Sequence, residues 1–182
     1  MIEDFNPITG MSGEDNMGGF KNFVLWIAAN MVTTTPLLPN PQVTNADYVT
    51  AAGAFVFLDA KKPLYIECTK DTVKYSAPNQ GELEGQSFAP AGEFYRAGDK
   101  VEYAALARKY NNTPGYLILE NMDGKQIMVG QPGLPCSLKF EYDGGQKAAD
   151  RRGLKVSFAA DSVAPVIYLA TKINIEDLLA ES

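Results

Sequence analysis

Two pairs of carboxylates stand two residues apart in the chain, Glu82/Glu84 and Glu141/Asp143. In a strand, side chains at i and i+2 share a face, so each pair could hold a cation or divide acid and base roles. No further ligand stands beside either pair, and the same spacing also describes a plain solvated face. One basic cluster is present: Lys147, Arg151, Arg152 and Lys155. It has the charge to meet a phosphate, although Asp143 and Asp150 dilute it. Cys68 and Cys136 are far apart and neither lies in a C-x-x-C pattern, so both are expected as small buried apolar groups. Histidine is absent. That removes histidine bases, Ser-His-Asp and Cys-His pairs, and every zinc site that needs imidazole. Phosphate-cradling and nucleophile-elbow motifs are missing too. Asn111-Asn112-Thr113 fits a glycosylation sequon but reads as a turn. No nucleophile is supplied with a base, so the expectation is a protein that is not an enzyme, with no catalytic residue, cofactor or metal.

The elements that must position these groups are mostly strands. Residues 20–32 are apolar on both alternating faces, which predicts a strand buried on both sides. Residues 33–53, with Pro36, Pro39 and Pro41, predict a loop that leaves the sheet. Further strands are expected at 54–58, 64–69 and 72–77. Residues 78–98 mix small, acidic and aromatic types, which predicts an extended hairpin arm or a long loop, a length that is usually functional. A helix is expected at 99–110. Asp99 would cap it, Glu102 stands three residues on, and Val101, Ala104, Ala105 and Leu106 would form its apolar face. Asp123-Gly124 between 116–121 and 126–130 is the strongest hairpin signal. Strands follow at 135–142, 154–159 and 165–171, with Leu138, Phe140 and Tyr142 on one face and Leu154, Val156 and Phe158 inward. The sum is a mainly β fold: a β-sandwich or barrel of eight or nine strands with one flanking α-helix at about 99–110.

The 182 residues are 46% hydrophobic, enough to bury a core. Charge is unevenly distributed. The net charge is −6, but residues 1–20 and 173–182 together carry −7 and contain no base, leaving the body at +1. A sequence-reading nucleic-acid binder would instead show a basic face. The expected organisation is an acidic flexible arm at 1–19, one sandwich domain at 20–172 and an acidic tail at 173–182. No export signal or membrane span is read, so folding in a cytoplasm is expected.

The order of elements resembles the tail tube and related ring-forming virion proteins of tailed bacteriophages. A glycine-led first strand, from Gly18-Gly19-Phe20 to Ala28, follows a short acidic arm. A long arm or loop at 78–98 precedes the single helix. Then come a hairpin at 116–130 with Asp123-Gly124 at its turn, a polar loop with Asp150-Arg151-Arg152-Gly153, and a strand ending near Pro165-Val166-Ile167-Tyr168. The resemblance implies a sandwich that assembles into a homo-oligomeric ring, a hexamer, stacked on neighbouring rings or other tail proteins. The extended hairpin would join an inner barrel, and phage DNA would pass without specific binding. The location implied is the virion tail, assembled in the bacterial host's cytoplasm, with no membrane. A connector or tail-completion ring would share the fold.

On that reading the subunit interface falls on Glu82, Leu83, Glu84, Phe88, Phe94 and Tyr95. The glutamates would face the channel, and Phe88 and Phe94 would pack on a neighbour. Lys147, Arg151 and Arg152 would make inter-subunit salt bridges or phosphate contacts. The alternative is a β-sandwich binding module for carbohydrate or a surface partner, with Tyr48, Phe88, Phe94 and Tyr95 stacking on a sugar.

Overall fold

The computed structural model describes Phe5, Pro7 and Ile8, residues 17–147 and residues 150–180. Most of the expected acidic arm at 1–19, and the last two residues of the tail, lie outside the described residues.

The protein is mainly β. Its strands are β1 (Phe20–Ala28), β2 (Val32–Thr34), β3 (Thr50–Ala51), β4 (Val56–Phe57), β5 (Leu64–Glu67), β6 (Lys74–Ser76) and β7 (Asn79–Gln80). They continue with β8 (Ser87–Phe88), β9 (Ala91–Ala97), β10 (Gly115–Asn121), β11 (Gln126–Val129), β12 (Ser137–Asp143), β13 (Gly153–Ala159) and β14 (Tyr168–Leu169). Helix α1 is Val101–Tyr110 and the short α2 is Ile175–Leu179. Six strands form one sheet in the order β3-β14-β11-β10-β1-β5, and four form a second, β12-β13-β9-β6. The remaining strands make two small pairs, β2-β4 and β7-β8. The strand count exceeds the expected eight or nine because segments read as loop or arm also pair: β3 forms within 33–53, β7, β8 and β9 form within 78–98, and the expected strand at 20–32 is broken at Ala29–Met31 into β1 and β2.

The two main sheets pack face to face. Val24 and Trp26 of β1, Leu117 and Leu119 of β10 and Val129 of β11 meet Phe94 of β9, Leu138 of β12, and Leu154, Val156 and Phe158 of β13. These alternating inward residues make the core of a sandwich. The expected two-sided burial of β1 also holds: Val24 to Ile27 are fully buried, with Leu25 and Ile27 in a second cluster on the opposite side.

That second cluster corrects the expectation for residues 33–53. The segment does not leave the sheet. Leu38, Val49 and Ala51 pack over the outer side of the six-stranded sheet, beside Tyr116, Ile118 and Met128, and β3 joins that sheet parallel to β14. The C-terminal segment covers the same side through Ile167, Ile173, Ile175 and Leu178. The buried Gln126 side chain fastens it by accepting from Ile173 N (2.8 Å) and donating to Ile173 O (3.0 Å). The same amide donates to the buried Glu120 (3.0 Å), whose other carboxylate oxygen pairs with Lys21. A buried carboxylate needs such partners.

Helix α1 begins later than expected. Lys100 occupies the N-cap without a side-chain bond. Asp99 is drawn away, accepting from the Tyr142 hydroxyl (2.6 Å) and pairing with Arg152. Of the expected face only Leu106 packs: with Tyr103, Ala107 and Tyr110 it meets the inter-sheet core, while Val101, Ala104 and Ala105 are exposed. Spacing of three to four residues fits both stripes, and the large aromatic pair outweighs alanines. Tyr110 meets Trp26 edge-on at 6.5 Å.

Residues 78–98 are not one arm. Residues 79–88 form a short hairpin, and β9 is an inner strand of the four-stranded sheet. The hairpin is tied to the body: Phe88 exchanges two backbone bonds with Ser162, both 2.9 Å.

Candidate functional site

The four-stranded sheet offers the most chemistry. Its inner side is the sandwich core. Its outer side is set by alternation, so the residues between the buried ones face out: Lys139 and Glu141 on β12, Lys155 and Ser157 on β13, Glu93 and Tyr95 on β9, Lys74 on β6. Two close approaches fix this layout. A Cβ on Gly92 would stand 2.5 Å from the Phe158 ring and 2.0 Å from Lys74 O. A Cβ on Gly153 would meet the Tyr95 hydroxyl at 2.7 Å. Only glycine lets an aromatic ring lie across the neighbouring strand at these two positions.

Across this face runs a row of paired charges. Glu93 accepts from Lys74 through one carboxylate oxygen (2.9 Å) and from Lys155 through the other (2.8 Å). The Lys155 and Lys74 ammonium groups hold its carboxyl well down, to about 2. Lys74, Lys139 and Lys155 oppose Glu93, Glu141 and Asp143, so the face is balanced and not acidic. Beside Glu93 lies a concavity of about 350 Å³, lined by Asp71, Thr72, Lys74, Tyr95, Arg151 and Lys155.

Both edges of this sheet are open. Among the described residues, the seven-residue β12 pairs only with β13, and β6 pairs only with β9. Each edge therefore presents backbone groups without a strand partner.

The residues expected at an interface are divided by the fold. Leu83, 86% exposed, projects from the hairpin tip together with exposed Glu82 and Glu84. The two glutamates do not share a strand face, because residues 81–86 form the turn and Glu84 has φ of 74°. Phe88 is half-buried against the body. Phe94 is 1% exposed in the protein's own core, which corrects its assignment to a neighbour contact: its ring fills the space between the sheets. Tyr95 lies on the outer face of β9. A sugar platform from Tyr48, Phe88, Phe94 and Tyr95 loses Phe94 for the same reason, and the other three stand on separate elements.

The basic cluster is also split. Arg152 pairs with Asp99, Lys147 sits in the loop capped by the Asp150 carboxylate, and Arg151 and Lys155 line the concavity. Lys74 and Glu93, which the sequence reading did not single out, complete that concavity. The signal for them is the alternation in 91–97 and 74–76, hidden while 78–98 is read as an arm.

Neither thiol offers a nucleophile. Cys68 and Cys136 are buried and unbridged, and burial pushes both up to about 12. Among the described residues no cluster of acids and cysteines could hold a metal, and no helix is long and apolar enough to cross a membrane.

Comparison with protein-family models, characterised proteins and solved structures found no match to this chain.

Proposed function

We propose that this protein is a structural subunit that closes into a ring around a channel, as a tail tube or related virion ring protein would. The observation that carries the reading is the four-stranded sheet, with two open and non-equivalent edges and a polar outer face. Pairing the β12 edge of one copy with the β6 edge of the next is a head-to-tail contact. Such contacts generate closed rings or open filaments and not two-fold dimers. Main-chain hydrogen bonds would supply affinity and the pleat would fix register. Ring closure removes the edges that otherwise invite aggregation.

The outer face would then line the channel. Its lysines and carboxylates balance in number, so the lining carries little net charge and does not repel a passing duplex. The exposed hairpin tip at 81–86, next in sequence to β6, is placed to brace the joint through Leu83. The role is structural and non-catalytic, and the partners are copies of this chain, other tail proteins and passing DNA.

A cross-linking experiment tests the joint. Lys139→Cys on β12 and Ser76→Cys on β6 stand three strand spacings and a two-residue offset apart in one chain, about 16 Å. That exceeds the roughly 7 Å Cα limit for a disulfide, so a bond between them links two copies. Mild oxidation should give a ladder ending in a closed ring, with each single variant left uncross-linked. A double variant that stays monomeric contradicts the proposed joint.

A further inference from the structure

The geometry points to an oxyanion-binding site in the concavity beside Glu93, one per chain, taking a phosphate group through Lys74, Lys155 and Arg151. The site is rich in donors and short of acceptors. Lys74 and Lys155 each give one hydrogen bond to Glu93. An ammonium carries three donors, so each keeps two unspent. Both oxygens of Glu93 are already engaged, one by each lysine. The carboxylate thus holds two cations side by side without cancelling both.

Arg151 adds a planar fork of five donors on the same concavity, and no ion pair engages it among the described residues. The Tyr95 side chain forms part of the wall, with its hydroxyl buried over Gly153. Among the lining residues three cations stand against the carboxylates of Glu93 and Asp71, while Glu141 of β12, outside the lining, faces Lys155. What such a cleft lacks is a compact group with several acceptor oxygens. A volume of about 350 Å³ admits a phosphate with its hydration or a small phosphorylated molecule. The surface expectation of phosphate contacts at Lys147, Arg151 and Arg152 thereby narrows to Arg151, joined by lysines from β6 and β13. The proposal stands on this cleft alone and holds for a monomer or a ring.

Equilibrium dialysis with labelled inorganic phosphate at fixed chloride tests it. Saturable binding of one phosphate per chain is expected. Lys155→Gln and Arg151→Gln should each weaken it about tenfold or more, as loss of a charge-assisted hydrogen bond does. Lys139→Gln, on the same face outside the cleft, should leave it unchanged. Glu93→Gln should tighten binding, because it removes the competing carboxylate. A duplex oligonucleotide added as competitor separates the sources: displacement assigns the site to nucleic-acid backbone, and its absence assigns it to a free oxyanion. No saturable binding, or binding indifferent to Lys155 and Arg151, overturns the proposal.

Discussion

Glu93 shows how one side chain organises a surface. Two lysines from neighbouring strands bond its two oxygens and hold its carboxyl near 2, below its ordinary 4.5. A carboxyl whose folded value lies below its unfolded one adds stability above the unfolded value and loses it as pH falls through the folded one. The wild type should therefore exceed Glu93→Gln in stability at pH 7, with the difference shrinking from about pH 4.5 towards pH 2. Urea midpoints measured at several pH values check this; a constant difference across that range would contradict it. At this scale the sequence was partly readable. The burial of Cys68 and Cys136 was legible from the lack of any C-x-x-C pattern, and the inward row of Leu154, Val156 and Phe158 from alternation. The pairing of Glu93 with Lys74 and Lys155 was not readable, because it depends on which strands become neighbours.

Among the elements, α1 and the 79–88 hairpin separate what pattern reveals from what it hides. The helix itself was legible between its turn signals. Its buried face was not, since two stripes offset along the helix both fit the spacing and only packing against Trp26 selects one. Ala105→Glu should thus leave stability within about 0.5 kcal/mol, as for other exposed sites. Leu106→Ala, half-buried on the core side, should cost about 1–2 kcal/mol, less than full burial would. Because Leu106 lies on both stripes, the thermal melt of Ala105→Glu decides between the faces, and that of Leu106→Ala gauges the packing. The 78–98 segment misled because Gly81, Gly85 and the acidic tip resemble a loop, while the strand at Ala91–Ala97 carries too many small and charged residues to announce burial. Removing residues 82–85 at the tip should leave a cooperatively folded protein by circular dichroism. Removing 82–94 takes half of an inner strand and Phe94 with it, and should abolish cooperative unfolding.

For the whole molecule, the sandwich follows from the balance of strand signals, while the covering of its six-stranded sheet by residues 33–58 and the C-terminal segment does not. Those residues are apolar only at scattered positions, such as Leu38, Val49 and Ile173, and become a layer once the sheet exists to receive them. The uneven charge, with a nearly neutral body between acidic ends, suits subunits that associate through the body. In the proposed ring the open β12 and β6 edges join copies head to tail. Negative-stain electron microscopy of the purified protein across a concentration series tests it most directly. Closed rings with a central channel, alone or stacked, are expected, and they should disappear when prolines interrupt the β12 edge while the far-ultraviolet spectrum of the fold persists. Single particles of monomer size at every concentration would contradict it.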